Sequence, residues 1–135
     1  MTSEALAVVR AFFDLAAAGD FARLSDILDP GVVFLGTRGG LDEKRVLRGP
    51  DAVIEYVRDE ITDPWEQYDV EAERLIEIGD AVVAFLHETA QPRHGDLQMH
   101  SDTAMIFRVR RHRILEATGY LDRDQALEAA RLTAG

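Results

Sequence analysis

His87 is the residue of this 135-residue chain best suited to acid–base chemistry. It lies in Ala81–Ala90, a run that is apolar on both faces and therefore predicts a central β-strand. An imidazole in an apolar pocket can give or take a proton near neutral pH. The same position also suits a buried, hydrogen-bonded structural histidine, and the sequence leaves both interpretations open.

His100 and Asp102 form a second candidate group, because residues two apart on a strand share a face. Such a pair can orient an imidazole for base catalysis, or hold a metal together with further ligands. A polar outer face or a subunit interface is the alternative, and the same alternation places Glu88 and Glu116 there as solvated or interface charges. With no cysteine and no HExxH-like spacing, the sequence predicts no metal site.

Helices and strands that would position these groups follow from spacing and capping residues. Ser3 and Asp20 are predicted to cap two helices, the first running to about Ala18, and Gly49-Pro50 begins a third. Asp122 precedes a last helix over Ala126–Leu132. Strands are predicted over Val32–Leu35, from about Gln67, and over Ala81–Ala90, Leu97–Arg110 and Arg113–Leu121. The order predicts one α+β domain spanning residues 1–135, with a curved antiparallel or mixed sheet and helices over one side.

The last two strands sort their side chains by face, and one face resembles the wall of a pocket. The odd-numbered face is apolar but underfilled, since Ala117 and Gly119 are very small. It includes Thr103, Met105 and Phe107. The even-numbered face mixes polar residues with Ala104, Ile106, Ile114 and Tyr120, which predicts a homodimer through this side of the sheet.

Charge and hydropathy limit the partners. A net charge of −10 argues against nucleic acid, because a phosphate backbone would be repelled. No apolar run approaches the roughly 20 residues of a membrane span. The N-terminus lacks a basic region followed by an apolar core, so the expected location is the cytoplasm.

Four short segments, in this order along the chain, resemble the SnoaL-like branch of the nuclear transport factor 2-like superfamily. They are Ala18-Gly19-Asp20, Asp29-Pro30-Gly31-Val32-Val33, Arg48-Gly49-Pro50-Asp51-Ala52-Val53 and Tyr120-Leu121-Asp122-Arg123. The resemblance implies a cone-shaped sheet that encloses a pocket with three to four helices. It also implies that Val83, Phe85, His87 and Thr89 face the cavity. Members include ketosteroid isomerases, polyketide cyclases, epoxide hydrolases, dehydratases and non-catalytic modules, so the fold leaves the activity open.

The polar groups of the ketosteroid isomerases would fall at Phe12, Leu35 and Met105, all of which are apolar in this chain. The resemblance therefore implies that the isomerase proton shuttle is absent. The aspartate–arginine–aspartate set of the epoxide hydrolases is not carried over either. Asp102 and Arg108 lie on the face opposite Met105.

Together these observations predict a protein that binds a small apolar ligand in a mostly apolar pocket without a cofactor. If it is an enzyme, the expected chemistry is acid–base isomerisation, cyclisation, dehydration or hydrolysis of a polycyclic or terpenoid-like substrate, with His87 as the catalytic residue. The alternative is a non-catalytic module that binds a partner protein through the open sheet face. The expected ligand-binding residues are Phe12, Leu35, Tyr56, Phe85, Thr103, Met105, Phe107, Ala117 and Gly119.

Overall fold

The computed structural model describes residues 3–62, 65–95 and 97–134. The helices are α1 (Glu4–Ala18), α2 (Phe21–Asp26), α3 (Pro50–Glu55) and α4 (Arg123–Ala134), and α3 continues as a π-helical stretch over Tyr56–Thr62. The strands are β1 (Leu28–Arg38), β2 (Val46–Arg48), β3 (Trp65–Ile78), β4 (Ala81–Pro92), β5 (Met99–Arg110) and β6 (Arg113–Tyr120).

The six strands form one mixed sheet in the order β2-β1-β6-β5-β4-β3. All neighbours pair antiparallel except β1 and β6, which are parallel. The predicted α+β class with a mixed sheet is confirmed. Two details differ from the sequence prediction: β1 extends beyond the predicted Val32–Leu35 and begins at Leu28, and β2 is not among the predicted strands.

Capping residues end the first helices where the sequence predicts. The Ser3 hydroxyl accepts a hydrogen bond from the Leu6 N–H at 3.1 Å, and Gly19 closes α1 with a φ of 71°. That left-handed conformation favours glycine because a Cβ would be strained there. Asp20 then caps α2 by accepting from the Arg23 N–H. These contacts fix how α1 lies across the sheet.

The main core fills the space between α1 and one face of the sheet, which we call the inner face. Phe107 of β5 is fully buried at its centre. Its ring lies 5.4 Å from the Phe12 ring and 5.7 Å from the Phe13 ring, measured between centroids. Phe34 of β1 joins the same cluster. This cluster of phenylalanine rings is the centre of the main core.

The opposite face of the sheet, the outer face, is partly covered by α4. Ala126 and Ala130 of α4 are fully buried in a second cluster with strand residues. Those strand residues include Ala104 and Ile106, and Tyr120 packs against the same cluster. The prediction of helices over one side only is therefore corrected: α1 packs on the inner face and α4 on the outer.

A bulge in β3 changes which residues face inward. Val70 and Ala72 pack against the main core, whereas Ile76 and Ile78 pack against the cluster under α4. The pairing with β4 shifts by one residue between Ala72 and Arg74, and Leu75 takes the inward position beyond it. The sequence prediction put Val70 and Ile76 in one alternating set. The extra residue of the bulge separates them.

The homodimer predicted for the even face loses part of its basis. Ala104, Ile106 and Tyr120 are covered by α4, and Ile114 is fully buried in the main core because one extra residue in β6 shifts its pairing with β5. The dimer stays a prediction for the polar end of the outer face, around His100 and Asp102. Light scattering at micromolar concentration tests it. The expected mass is twice that of the 15.1 kDa chain, and a mass that stays at one chain on concentrating would contradict it.

Among the described residues, no helix is both long and apolar enough to cross a bilayer.

Candidate active site

A pocket of about 330 Å³ lies on the inner face, beyond the aromatic cluster. Side chains of α1, β1, the π-helical stretch, β3, β4 and β5 surround it, and most of its surface is apolar. Its apolar border includes Phe12, Phe13, Ala16, Phe34, Leu47, Val57, Val70, Leu86 and Met105. Its size and composition are typical of a site for a small organic molecule.

Glu88 of β4 is the carboxylate that the sheet directs into this pocket. Its register partners are Val70 on β3 and Ser101 on β5, and it borders the pocket beside Leu86. The Tyr68 hydroxyl donates a short hydrogen bond to Oε1 of Glu88, and the Thr103 hydroxyl donates to Oε2 at 3.1 Å. Each oxygen of the carboxylate therefore has a neutral donor from a neighbouring strand.

The environment of Tyr68 shows the electrostatic effect of this arrangement. Burial raises the pKa of the Tyr68 phenol far above its usual range, and the neighbouring negative charge of Glu88 raises it further. Tyr68 therefore remains a neutral hydrogen-bond donor over the whole physiological pH range. A carboxylate that accepts from two hydroxyls keeps free lone pairs, so it can accept one more hydrogen bond or a proton from a ligand.

Residues 36–45, which run from the end of β1 towards β2, border the pocket, and we call them the mouth segment. The Gly36 N–H donates to the Arg45 carbonyl at 2.8 Å, and the Arg45 N–H donates to the Asp42 carbonyl at the same distance. A Cβ on Gly36 would lie 1.7 Å from the Asp42 carbonyl oxygen, so only glycine allows this close approach. The Arg45 guanidinium lies 5.0 Å from the centroid of the Tyr56 ring.

Most of the predicted ligand-binding residues border the pocket. Those that do are Phe12, Leu35, Tyr56, Thr103, Met105 and Gly119. Leu35 pairs in register with Thr118 of the outer-face set, and its neighbour Phe34 packs into the core. Phe107 and Ala117 lie on the inner face as predicted, but both are buried in the main core beneath the pocket.

Phe85 and His87 require a correction, because β4 presents the opposite set of residues to the pocket. His87 pairs with Asp102 and Phe85 with Ala104, both on the outer face, while Leu86 and Glu88 face inward. The Phe85 ring instead lies under the Arg123 guanidinium at 4.9 Å. Ala81–Ala90 is apolar on both sides because the main core covers one face and α4 the other. Its alternation alone therefore did not identify the inner face.

Sequence reasoning missed Tyr68 as a site residue and placed Glu88 on the outer face. A signal for Tyr68 was present, since it alternates with Val70 and Ala72, which pack against the main core. Numbering hid the signal for Glu88, because the antiparallel pairing sets even-numbered residues of β4 beside odd-numbered residues of β5, as with Glu88 and Ser101. A bulge-free ladder from the Gly79-Asp80 turn would pair Val70 with Thr89, whereas the structure pairs it with Glu88.

On the outer face, His87, His100 and Asp102 do come together. The His87 Nδ1 lies 2.7 Å from Oδ1 of Asp102, and the His87 and His100 rings stack at 5.5 Å. Arg123 of α4 lies 3.7 Å from Asp102 and also binds Glu73. Within residues 3–62, 65–95 and 97–134, no three His, Asp or Glu side chains are grouped to hold a metal ion.

We expect the His87–Asp102 contact to be visible in a pH titration. The Asp102 hydrogen bond raises the pKa of His87 above its usual 6.5, and the same contact lowers the pKa of Asp102 below 3.8. The stabilisation by the raised histidine is fully present below pH 6.5 and disappears as pH rises through the folded-state pKa. That from Asp102 is present above pH 3.8 and disappears on acidification.

The NMR titration midpoint of His87 should therefore fall in an Asp102→Asn variant. An unchanged midpoint for His87 would show that the contact is absent in solution.

Comparisons with known proteins support this architecture. The profile of the SnoaL-like domain matches residues 9–117. No functionally curated protein matches the chain. An NTF2-like protein of unknown function from Burkholderia pseudomallei K96243 superposes with a TM-score of 0.75 at 18% identity, covering 94% of this chain and 97% of that one.

Two further solved structures share the fold. An LEH-like epoxide hydrolase of Mycobacterium tuberculosis has a TM-score of 0.71 at 20% identity, covering 98% of this chain and 92% of that one. A protein named as a SnoaL-like polyketide cyclase, from Shewanella putrefaciens CN-32, has a TM-score of 0.73 at 12% identity, covering 98% and 99%. At these identities the likeness concerns the fold alone.

Proposed function

The chain belongs to the SnoaL-like domain family, and we propose that its pocket binds a small, largely apolar molecule with which Glu88 exchanges a proton. The reaction would be an isomerisation, cyclisation, dehydration or hydrolysis of a polycyclic or terpenoid-like substrate. Solved structures of the same fold include proteins named as an epoxide hydrolase and a polyketide cyclase.

The observation that carries the proposal is a carboxylate in an apolar pocket with a fixed orientation. Tyr68 and Thr103 hold the two oxygens of Glu88 from neighbouring strands. Holding a base in place before the substrate arrives removes part of the entropic cost of proton transfer. The role goes to Glu88 rather than His87, since the His87 side chain lies on the outer face with Asp102.

The positions at which the ketosteroid isomerases carry their polar groups limit which reactions this proposal includes. Phe12 and Met105 border the pocket with apolar side chains, and the β1 residue packed into the core at this level is Phe34. A ketosteroid isomerase reaction needs a base and an oxyanion donor at those places. The proposed chemistry therefore depends on the Tyr68–Glu88–Thr103 group. The alternative of a protein-binding module has less support, because α4 covers the apolar part of the outer face.

Binding is tested with a neutral apolar fluorescent dye, N-phenyl-1-naphthylamine, and two tryptophan variants of α1. Ala16 borders the pocket, whereas Ala18 lies two residues along the helix, is exposed and does not border it. Ala16→Trp should fill the space and weaken dye binding at least about tenfold. Ala18→Trp should leave the affinity within about twofold. Equal affinities in the two variants would place the dye elsewhere.

Proton exchange is tested on a panel of epoxides and enolisable cyclic ketones followed by NMR in D₂O. Turnover of any member should fall by about 10²–10⁴-fold in Glu88→Gln, the range for loss of a general acid or base. His87→Gln is the matched control on the same strand and should retain the rate. A rate that survives Glu88→Gln but is lost in His87→Gln would return the catalytic role to His87.

A further inference from the structure

The charged side chains that border the pocket are more often acidic than basic. Four ionisable residues with acidic or basic side chains border it among those described: Asp42, Arg45, Asp69 and Glu88. Asp42 and Arg45 belong to the mouth segment, and the Arg45 guanidinium lies over the Tyr56 ring. Asp69 pairs in register with Thr89 of the outer-face set, and its carboxylate accepts from Gln67 at the exposed surface. Glu88 is therefore the charge that defines the interior.

Glu88 has neutral partners within the described part of the chain. Its hydrogen bonds come from the hydroxyls of Tyr68 and Thr103, and no described arginine, lysine or histidine forms an ion pair with it. Burial, and after it the charge of Glu88, raise the pKa of Tyr68, so this hydroxyl stays a neutral partner of the carboxylate. A ligand with a positive charge would supply the counter-charge that the protein does not.

Aromatic rings border the same space. Tyr68 donates to Glu88, and Phe12, Phe13, Phe34 and Tyr56 also border the pocket. Ring faces carry partial negative charge and attract cations within about 6 Å of the centroid. A carboxylate in a pocket that is also bordered by several rings is thus a combination that favours an ammonium group over a hydroxyl.

We propose that the natural ligand of this pocket is a small, largely apolar molecule carrying a protonated amine, whose N–H donates to the Glu88 carboxylate. This inference rests on the binding part of the proposed function and adds the charge of the ligand. Pairing buried charges often gains little, because both must lose their water. Here folding has already removed part of the water around the half-buried Glu88, which lowers the desolvation cost on the protein side.

Three compounds with the same rigid hydrocarbon cage separate charge from shape: 1-aminoadamantane, 1-adamantanol and adamantane-1-carboxylate. At pH 7 the amine is protonated, as alkyl amines with a pKa near that of lysine are, and the carboxylate is ionised. Their affinities are measured by competition with N-phenyl-1-naphthylamine. The wild type should bind the amine about tenfold more tightly than the alcohol, as expected for a charge-assisted hydrogen bond, and the carboxylate most weakly.

Glu88→Gln should abolish the preference for the amine while the alcohol still binds. Glu71→Gln makes the same chemical change on the exposed, outer-face side of β3, where Glu71 pairs with His87, and should keep the preference.

The outcomes separate this inference from the proposed function. If the dye does not bind, or Ala16→Trp fails to weaken it, the proposed function falls and the inference falls with it. If the dye binds and the alcohol displaces it as well as or better than the amine, the inference alone is overturned. The inference alone is also overturned if the amine fails to displace a bound dye, or if the pocket still prefers the amine to the alcohol in Glu88→Gln.

Discussion

Replacing Phe107 with alanine is expected to lower the free energy of unfolding by about 3–5 kcal/mol. The ring is fully buried and touches three other phenylalanine rings, with centroid distances of 5.4 Å to Phe12, 5.7 Å to Phe13 and 6.5 Å to Phe34. Its removal leaves a cavity beneath the pocket that rigid strands and α1 cannot fill. Because domains are stable by only about 5–15 kcal/mol, the loss is a large fraction of the total.

Urea unfolding at 25 °C measures this effect. Phe21→Ala is the control, because Phe21 is partly buried at the start of α2, outside the aromatic cluster. Its loss should be smaller, about 1–2 kcal/mol. Equal losses in the two variants would show that the aromatic cluster does not dominate the stability of the main core.

Replacing Gly36 with alanine is expected to displace the mouth of the pocket. The new Cβ would lie 1.7 Å from the Asp42 carbonyl oxygen, a backbone atom that cannot rotate away. The segment would have to move, and the 2.8 Å hydrogen bond from the Gly36 N–H to Arg45 would be strained or lost. Overpacking of this kind costs about 1–3 kcal/mol. Affinity for the apolar dye should fall as well, since Asp42 and Arg45 border the pocket.

Gly31→Ala is the matched control on the same strand. Gly31 is exposed, and the nearest atom to its added Cβ is Oδ2 of Asp29 at 3.3 Å, at the end of a side chain that accepts from the Gly31 N–H and would have to shift by a few tenths of an ångström. The expected change in unfolding free energy is within about 0.5 kcal/mol, with dye affinity unchanged. If Gly36→Ala behaves like Gly31→Ala in both measurements, the close packing of the mouth segment does not shape the pocket.

The site also explains how a pocket can lack the isomerase groups and still offer acid–base chemistry. The side chains at Phe12 and Met105 leave the aromatic end of the pocket apolar. The polar group is assembled instead from one residue on each of β3, β4 and β5, which are neighbours in the sheet. Catalytic groups can move between strands of one fold while the cavity stays in place, which is why fold alone does not identify the reaction.

Local sequence determined where the first helices end and which residues of β5 face inward. Ser3, Asp20 and Gly19 mark helix ends because capping depends on side chains within a few residues of one another. The inward placement of Thr103, Met105 and Phe107 also followed from alternation, because on β5 the apolar and polar sides are distinct. Both are short-range properties that the order of residues carries by itself.

Only the tertiary structure decided which face of β4 meets the pocket. With the main core on one side and α4 on the other, Ala81–Ala90 has no polar side to reveal its orientation. One extra residue in β3 then sets the register that brings Tyr68 to Glu88 across 20 positions of sequence. A bulge reverses the facing of every residue beyond it, and its position depends on packing against distant elements. The candidate base is therefore Glu88, and His87, its neighbour in sequence, lies on the other side of the sheet.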